Sequence, residues 1–172
     1  MEVAVTLKLI AKKELARVIV DSTVQEKAIA HPTDSKLLET ARSKVVEAAK
    51  ANGIELKQTY AKEGQLLGYK AGRYAHARQF KRMRKVIKRQ RTIVGRLQRE
   101  VARKMTALSQ AMQETLGHTL DKAKRLVAQT ASRKAVGNRA KLYSWHAPEV
   151  ECISKGKSRN PYEFGVKVGL AM

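Results

Sequence analysis

The sequence predicts an α+β protein: one strand near the N-terminus, a long helical block, and a β-hairpin at the other end. An apolar β-branched run, Val18-Ile19-Val20, predicts the strand. Apolar residues that recur every three or four positions between 33 and 130 predict the helices. Period-two alternation in 149–172 predicts the hairpin.

The first strand, in region 1–32, ends on a carboxylate. Three consecutive apolar residues without alternation are typical of a strand covered on both faces. Asp21 follows this run directly, so we expect its carboxylate at the rim of a sheet, where the strand surfaces. The alternative is a turn or capping role, which spacing alone favours for a single Asp.

The helical block begins with the clearest local pattern in the chain. Pro32 disfavours helix at His31, and a hydroxyl or carboxylate in the next three residues can cap a helix that starts there. Asn52-Gly53 supplies a left-handed stop. The apolar residues between fall on one helical face: Leu37, Leu38, Ala41, Val45, Ala48 and Ala49. One helix is therefore predicted between them.

Three further helices are predicted, and together the four make the helical insertion 33–130. One starts near Glu55 and contains three glycines; the next runs on from about Tyr74; the last spans about 111–129. The two long helices have a short polar link, which predicts an antiparallel pair. Their apolar stripes can be buried within the chain or between chains, so a homo-oligomer through the insertion is an open alternative. The long stripe is Phe80, Met83, Ile87, Gln90, Val94, Leu97, Val101, Met105 and Leu108.

The remaining residues are predicted as a linker and a hairpin. Ala-, Ser- and Lys-rich sequence indicates a linker over 131–148. Turn residues at 156–161 then separate two alternating runs. In the second run Phe164, Val166, Val168 and Leu170 are expected on one face. The hairpin is therefore assigned to 149–172.

Composition points to a polyanion as partner. The 172 residues include 36 Lys and Arg against 15 Asp and Glu, a net charge of +21. So large a charge destabilises a compact state by self-repulsion, and nucleic acid is the first candidate to relieve it. An anionic membrane is the second candidate, but we expect no membrane partner because the helical stripe is narrow. The single cysteine, Cys152, and the lack of a signal-peptide pattern predict a cytoplasmic location.

The densest basic stretch runs from Lys81 to Lys104, with eleven cations against Glu100 alone. A solvated helix face normally mixes both signs, and like charges at this spacing repel each other. We therefore predict contacts to the phosphate backbone of DNA, which position a protein without reading sequence. The predicted contact residues are Lys81, Arg82, Arg84, Lys85, Lys88, Arg89, Arg91 and Arg96.

Several motifs in order resemble a known family. Residues 20–38 (VDSTVQEKAIAHPTDSKLL) resemble the first catalytic motif of bacterial insertion-sequence transposases of the IS-five group. Residues 74–82 (YAHARQFKR), 146–153 (HAPEVECI) and 161–167 (PYEFGVK) resemble later parts of the same family. The resemblance spans about 15–172, nearly the whole chain.

This resemblance implies a ribonuclease H-like catalytic core with an Asp-Asp-Glu triad that uses Mg²⁺ or Mn²⁺. Such enzymes cut DNA at the ends of the element and join the freed 3′-hydroxyl to target DNA. Asp21 matches the first Asp of the triad and is the expected catalytic and metal-binding residue. The family's second Asp and its Glu have no counterpart in this sequence. The expected fold is thus an incomplete ribonuclease H-like sheet, its first three strands, with a long helical insertion between the first and second strands.

The resulting hypothesis is a partial transposase that binds DNA and has one catalytic position. We expect it to be inactive alone and to bind no metal tightly, with metal-dependent phosphoryl transfer only in the complete enzyme. The alternative is a small, basic, helix-rich nucleic-acid-binding protein without catalysis, in which Asp21 is structural.

Overall fold

The computed structural model describes residues 20–131, 141–154, 156, 158 and 161–171. Within these residues the chain forms four helices and three strands, which confirms the α+β class. Contacts divide the chain into a helical unit, 28–151, and a β unit that contains the residues before and after it. Each unit has its own packing and is described by itself.

Helix α1 spans Asp34–Ala51, as the capping pattern predicts. Its N-cap is Thr33, whose Oγ1 accepts a hydrogen bond from the Lys36 N–H at 3.3 Å. At the other end Asn52 donates to the last helical carbonyls, and Gly53 takes a left-handed conformation with φ of 70°. A β-carbon disfavours that conformation, so the Asn-Gly signal marks the end of this helix correctly.

Helices α2 (Ala61–His76) and α3 (Phe80–Lys104) begin later than the sequence predicts. The stretch from Glu55 is not helical, and Tyr60 just before α2 has a left-handed φ of 52°. The long helix begins at Phe80 rather than near Tyr74, because Arg78, with φ of 53°, turns the chain between α2 and α3. Non-glycine residues rarely adopt this conformation, so neither break has a clear sequence signal.

Helix α4 spans Gln110–Ala131, and a short 3₁₀ turn at Met105–Ala107 joins it to α3. The two helices are antiparallel, as predicted. The Gln98 Nε2 donates to the Leu120 carbonyl at 3.1 Å, and the Arg91 Nη1 donates to the Thr130 carbonyl at 3.0 Å. Gly117 does not interrupt α4.

The core of the helical unit forms where α1 packs against both α3 and α4. The apolar stripe of α3 is therefore buried within the chain from Gln90 to Val101, whereas Phe80 at its start is exposed. An oligomer through the insertion stays a prediction. The fully buried large side chains are Leu38, Val45, Ile93, Val94, Leu97, Val101, Leu116, Leu126, Leu142 and Val150.

Part of the predicted linker 131–148 belongs to this core. Residues 132–140 lie outside the described part of the chain. Leu142, however, is fully buried, and its backbone N–H and carbonyl pair with the Gln129 amide at 2.8 and 3.0 Å. Trp145 packs against the same core, with the Lys122 Nζ 6.0 Å from its ring centroid. These two apolar side chains fix the segment, although its composition resembles that of a linker.

The β unit is an antiparallel three-stranded sheet of β1 (Val20–Glu26), β2 (Glu151–Ser154) and β3 (Tyr162–Ala171), in the order β1-β3-β2. The hairpin partners β2 and β3 are neighbours, as predicted. Strands β1 and β3 pair from Val20 opposite Ala171 to Glu26 opposite Gly165. At Gly165 an added β-carbon would lie 2.2 Å from the Gln25 carbonyl oxygen, so the residue allows close approach of the strands.

The position of Asp21 corrects the predicted boundary of the first strand. Asp21 is the second residue of β1 and lies opposite Leu170, and the strand continues to Glu26. It does not mark the point where the strand ends. Ser22, Thr23 and Val24 extend the strand because their backbone groups pair with β3, a contact that local sequence cannot reveal. Residues 17–19 of the predicted run lie outside the described residues.

Candidate nucleic-acid interface

Helix α3 has two opposite faces. One face carries the buried residues Val86, Gln90, Ile93, Val94, Leu97 and Val101. The other carries exposed cations spaced by three, four or eight positions, which we call the basic face: Lys81, Lys85, Lys88, Arg96, Arg99 and Arg103. With 1.5 Å of rise per residue, this face is about 33 Å long. It presents six cations along one side of a straight element.

Glu100, the one acid of α3, does not neutralise the basic face. Its Oε1 accepts the Lys57 backbone N–H and the Lys104 ammonium, each at 2.9 Å. These bonds, the backbone one first, lower the pKa of Glu100. Lys104 also donates to the Glu55 carbonyl. Glu100 thus fastens the segment before α2 to α3.

Two of the eight predicted contact residues have internal partners instead. The Arg89 Nε and Nη2 bind both carboxylate oxygens of Glu63 in α2, at 2.7 and 3.0 Å. This hydrogen bonding is the main cause that lowers the pKa of Glu63 and raises that of Arg89. Arg91 donates to the Thr130 carbonyl at the end of α4. Both arginines therefore connect α3 to its neighbouring helices.

The other six divide into the basic face and its N-terminal flank. Lys81, Lys85, Lys88 and Arg96 lie on the basic face, and none of them has an ion-pair partner among the residues described. Arg82 and Arg84 are also exposed, and they donate to the start of their own helix, at Gln79 Oε1 and the Phe80 carbonyl.

Arg99 and Arg103 extend the basic face but lie outside the predicted set of eight. Both side chains are exposed. A residue two positions from a buried one points to the far side of a helix. Because Leu97 and Val101 are buried, this spacing is the sequence signal that places Arg99 and Arg103 on the basic face.

A cavity of about 620 Å³ lies beside the basic face, and we call it the Phe80 cavity. Its apolar wall is Phe80, Met83 and Ile87 on α3. The Phe80 side chain is 53% exposed. The remaining lining residues are three cations of α3, one carboxylate of α1 and the last turn of α4: Arg84, Lys88, Arg91, Asp34, Gln129, Thr130 and Ala131.

The predicted catalytic residue, Asp21, lies on β1, but its side chain is not among those described. No three His, Cys, Asp or Glu residues within the described ranges lie close enough together to hold a metal ion. The side chain of Asp21 lies outside that search, so its catalytic and metal-binding roles stay predictions. None of the described helices is long and apolar enough to cross a membrane.

Comparison with known proteins finds a partial match to a protein of unstated activity. No family model and no solved structure matches the chain significantly. A 68-residue stretch is 54% identical to the "Uncharacterized protein ORF8 in nfe locus" of Rhizobium meliloti. It covers 40% of this chain and 33% of the relative, so the match spans about a third of the relative's length. The relative's name states no activity.

Proposed function

We propose that this chain binds duplex DNA through the basic face of α3, as part of an insertion-sequence transposase. The observation that carries the DNA-binding proposal is the row of six exposed cations with no acid among them. DNA phosphates would relieve the repulsion between these cations. Binding would also release the counterions that surround the DNA. All six side chains of the face are cations, which favours contact with the phosphate backbone.

The transposase part of the proposal rests on the resemblance of the four motifs. Asp21 would supply the first carboxylate of the triad, and two further acids would be needed to hold Mg²⁺ or Mn²⁺ for strand transfer. The second candidate is a DNA-binding protein without catalysis. It is favoured by one observation: all six cations of the basic face belong to the helical unit, so DNA binding needs no residue of β1, the strand that carries Asp21.

The DNA-binding proposal is tested by the salt dependence of affinity. Fluorescence anisotropy with a labelled duplex should give a slope of log K against log salt of about −5 if all six cations engage phosphates. The variant K85A/R96A/R99A should reduce the slope by about 3. The control K44A/K50A/K124A removes the same charge from α1 and α4 and should keep most of the slope. An equal effect of both variants would contradict a specific role of the basic face.

Catalysis is tested separately with supercoiled plasmid and Mg²⁺ or Mn²⁺. Only one of the three acids that the resemblance implies has a counterpart in this sequence, so we expect no nicking by the 172-residue chain. Metal-dependent nicking that is lost in Asp21→Asn would overturn this expectation and would show that another group completes the site.

A further inference from the structure

We propose that the Phe80 cavity binds one unpaired nucleotide of the DNA, with its base against Phe80 and its phosphate on Lys88 and Arg84. This inference rests on the proposed DNA binding, because the cavity opens beside the basic face. It adds a second mode of contact, stacking, to the backbone contacts of that face.

The apolar wall of the cavity is suited to a base. Phe80, at the first position of α3, leaves about half of its side chain in water, which costs hydrophobic free energy in the free protein. Met83 and Ile87 lie one and two turns further along and continue the apolar surface. Every base has a π face that can cover an exposed aromatic ring, whatever the sequence.

The rim of the cavity is suited to a phosphate. Arg84 and Lys88 line it one turn apart on the same flank of α3. Lys88 also belongs to the basic face, so a DNA backbone that follows this face reaches the cavity without a break. A purely apolar ligand would not need these cations, and a free phosphate would not need Phe80. A ligand with both an aromatic and an anionic part uses Phe80 and the two cations together, with its anionic part on the α3 side of the cavity and away from the Asp34 carboxylate of α1.

The ligand must be unpaired, and its base is not read. A stacked and paired base cannot offer its face to Phe80, so it has to leave the duplex first. A cavity of about 620 Å³ is large enough for one small ligand. The polar side chains at the end of α4 are already used: the Gln129 amide pairs with Leu142, and the Thr130 hydroxyl donates to Leu126 and Val127 carbonyls. Because stacking on Phe80 tolerates any base, we expect little preference among bases.

The experiment compares two duplexes of identical sequence, one fully paired and one with a central single-nucleotide bulge. The full chain should bind the bulged duplex about tenfold more tightly, the order expected for stacking one base on an aromatic side chain. Phe80→Ala should reduce this ratio to about one and leave the affinity for the paired duplex unchanged. Phe80→Tyr should keep the ratio. Tyr69→Ala, which removes another exposed aromatic ring, is the control.

Each outcome separates this inference from the proposed function. If the paired duplex binds with the expected salt slope but the bulge adds nothing, the cavity proposal is wrong and the DNA-binding proposal stands. A preference for the bulge that survives Phe80→Ala would also overturn the cavity proposal, because the preference would arise elsewhere. If neither duplex binds, both proposals fail. Circular dichroism checks that the variants keep the helices.

Discussion

Gly64 lies at the point where α2 comes closest to two charged side chains of α1. Arg42 there is only 7% exposed, and it donates to the Glu39 carboxylate and, through Nη1, to the Thr59 carbonyl at 3.0 Å. An added β-carbon at Gly64 would lie 2.3 Å from Glu39 Oε2 and 2.6 Å from Arg42 Nε. A side chain at this position would therefore disturb the partly buried ion pair of Arg42 and Glu39.

Gly64→Ala and Gly68→Ala should change stability in opposite directions. The first forces the Arg42–Glu39 pair to move and should lower the free energy of unfolding by about 1–3 kcal/mol. The second has no atom within 4 Å of the new β-carbon and should gain up to about 1 kcal/mol from helix propensity. Urea unfolding followed by the fluorescence of Trp145, the sole tryptophan, measures both. Equal effects would contradict the packing at Gly64.

Glu100 predicts a pH dependence of stability. Its pKa is lowered below 4.5 in the folded protein by the Lys57 N–H and by Lys104. The stabilisation is therefore complete above the unfolded value and is lost as the pH falls through the folded pKa. Glu100→Gln should cost about 1–2 kcal/mol at neutral pH, and the loss should shrink below pH 4.5.

The measurement is urea unfolding at a series of pH values between about 3 and 7, with Glu114→Gln, an exposed change of the same charge on α4, as control. If the Glu100 and Glu114 variants follow the same pH profile, the hydrogen bond to Lys57 contributes nothing measurable.

Helix α3 illustrates at the element scale why a run of like charges does not show which cations are available. Arg89 and Lys88 are adjacent in sequence, but the helical twist of 100° per residue turns one toward Glu63 and the other outward. The basic run and the apolar stripe are visible in the sequence. The partner of Arg89 lies 26 positions away, and local spacing cannot identify it.

The variants Arg89→Ala and Lys85→Ala should separate structural from DNA-binding cations. Arg89→Ala removes the contact with Glu63 and should lower stability by up to about 1 kcal/mol, since the pair is partly exposed, with little change in the salt slope. Lys85→Ala should reduce the slope by about 1 and leave stability unchanged or raised, because it relieves repulsion. Anisotropy titrations and urea unfolding of both variants test this, and the reverse pattern would contradict the assignment.

The boundaries of α2 and α3 show where element prediction from sequence fails. Capping residues and periodicity identify α1 almost completely, and periodicity alone identifies α4, because the local signals and the burial agree. Tyr60 precedes α2 and Arg78 lies between α2 and α3, and both have left-handed conformations. Neither is a glycine, so the local sequence does not indicate a helix boundary at either position. The Phe80 cavity depends on the turn at Arg78, because this turn starts α3 at Phe80 and leaves the Phe80 ring exposed. For this reason the cavity was not predictable from the sequence.

At the scale of the whole molecule, the net charge of +21 predicts a stability that rises with salt. Screening weakens the self-repulsion of the folded chain, and the Debye length falls from about 30 Å at 0.01 M to about 10 Å at 0.1 M salt. The melting temperature of the helical unit, followed by Trp145 fluorescence, should therefore increase over this range. A constant melting temperature would show that the repulsion is already compensated.

Duplex DNA should have a larger effect than salt. At a free concentration of about 100 times Kd it would stabilise the folded chain by about 2.7 kcal/mol. At low salt the melting temperature should rise accordingly, and K85A/R96A/R99A should lose most of the rise. A similar rise for this variant would place the DNA elsewhere on the molecule.

The pairing of β1 with β3 has a consequence for synthesis on the ribosome. Glu26 pairs with Gly165, which is synthesised about 140 positions later, so the pairing of β1 with β3 cannot form before then. At about 5–20 residues per second, β1 spends roughly 7–28 seconds as a solitary segment in the cell. Its sequence, VDSTVQE, is mostly polar and carries two acids, and both features disfavour strand pairing with other unfolded chains during that time. The strand that carries Asp21 thus has a composition that disfavours aggregation until β3 is made.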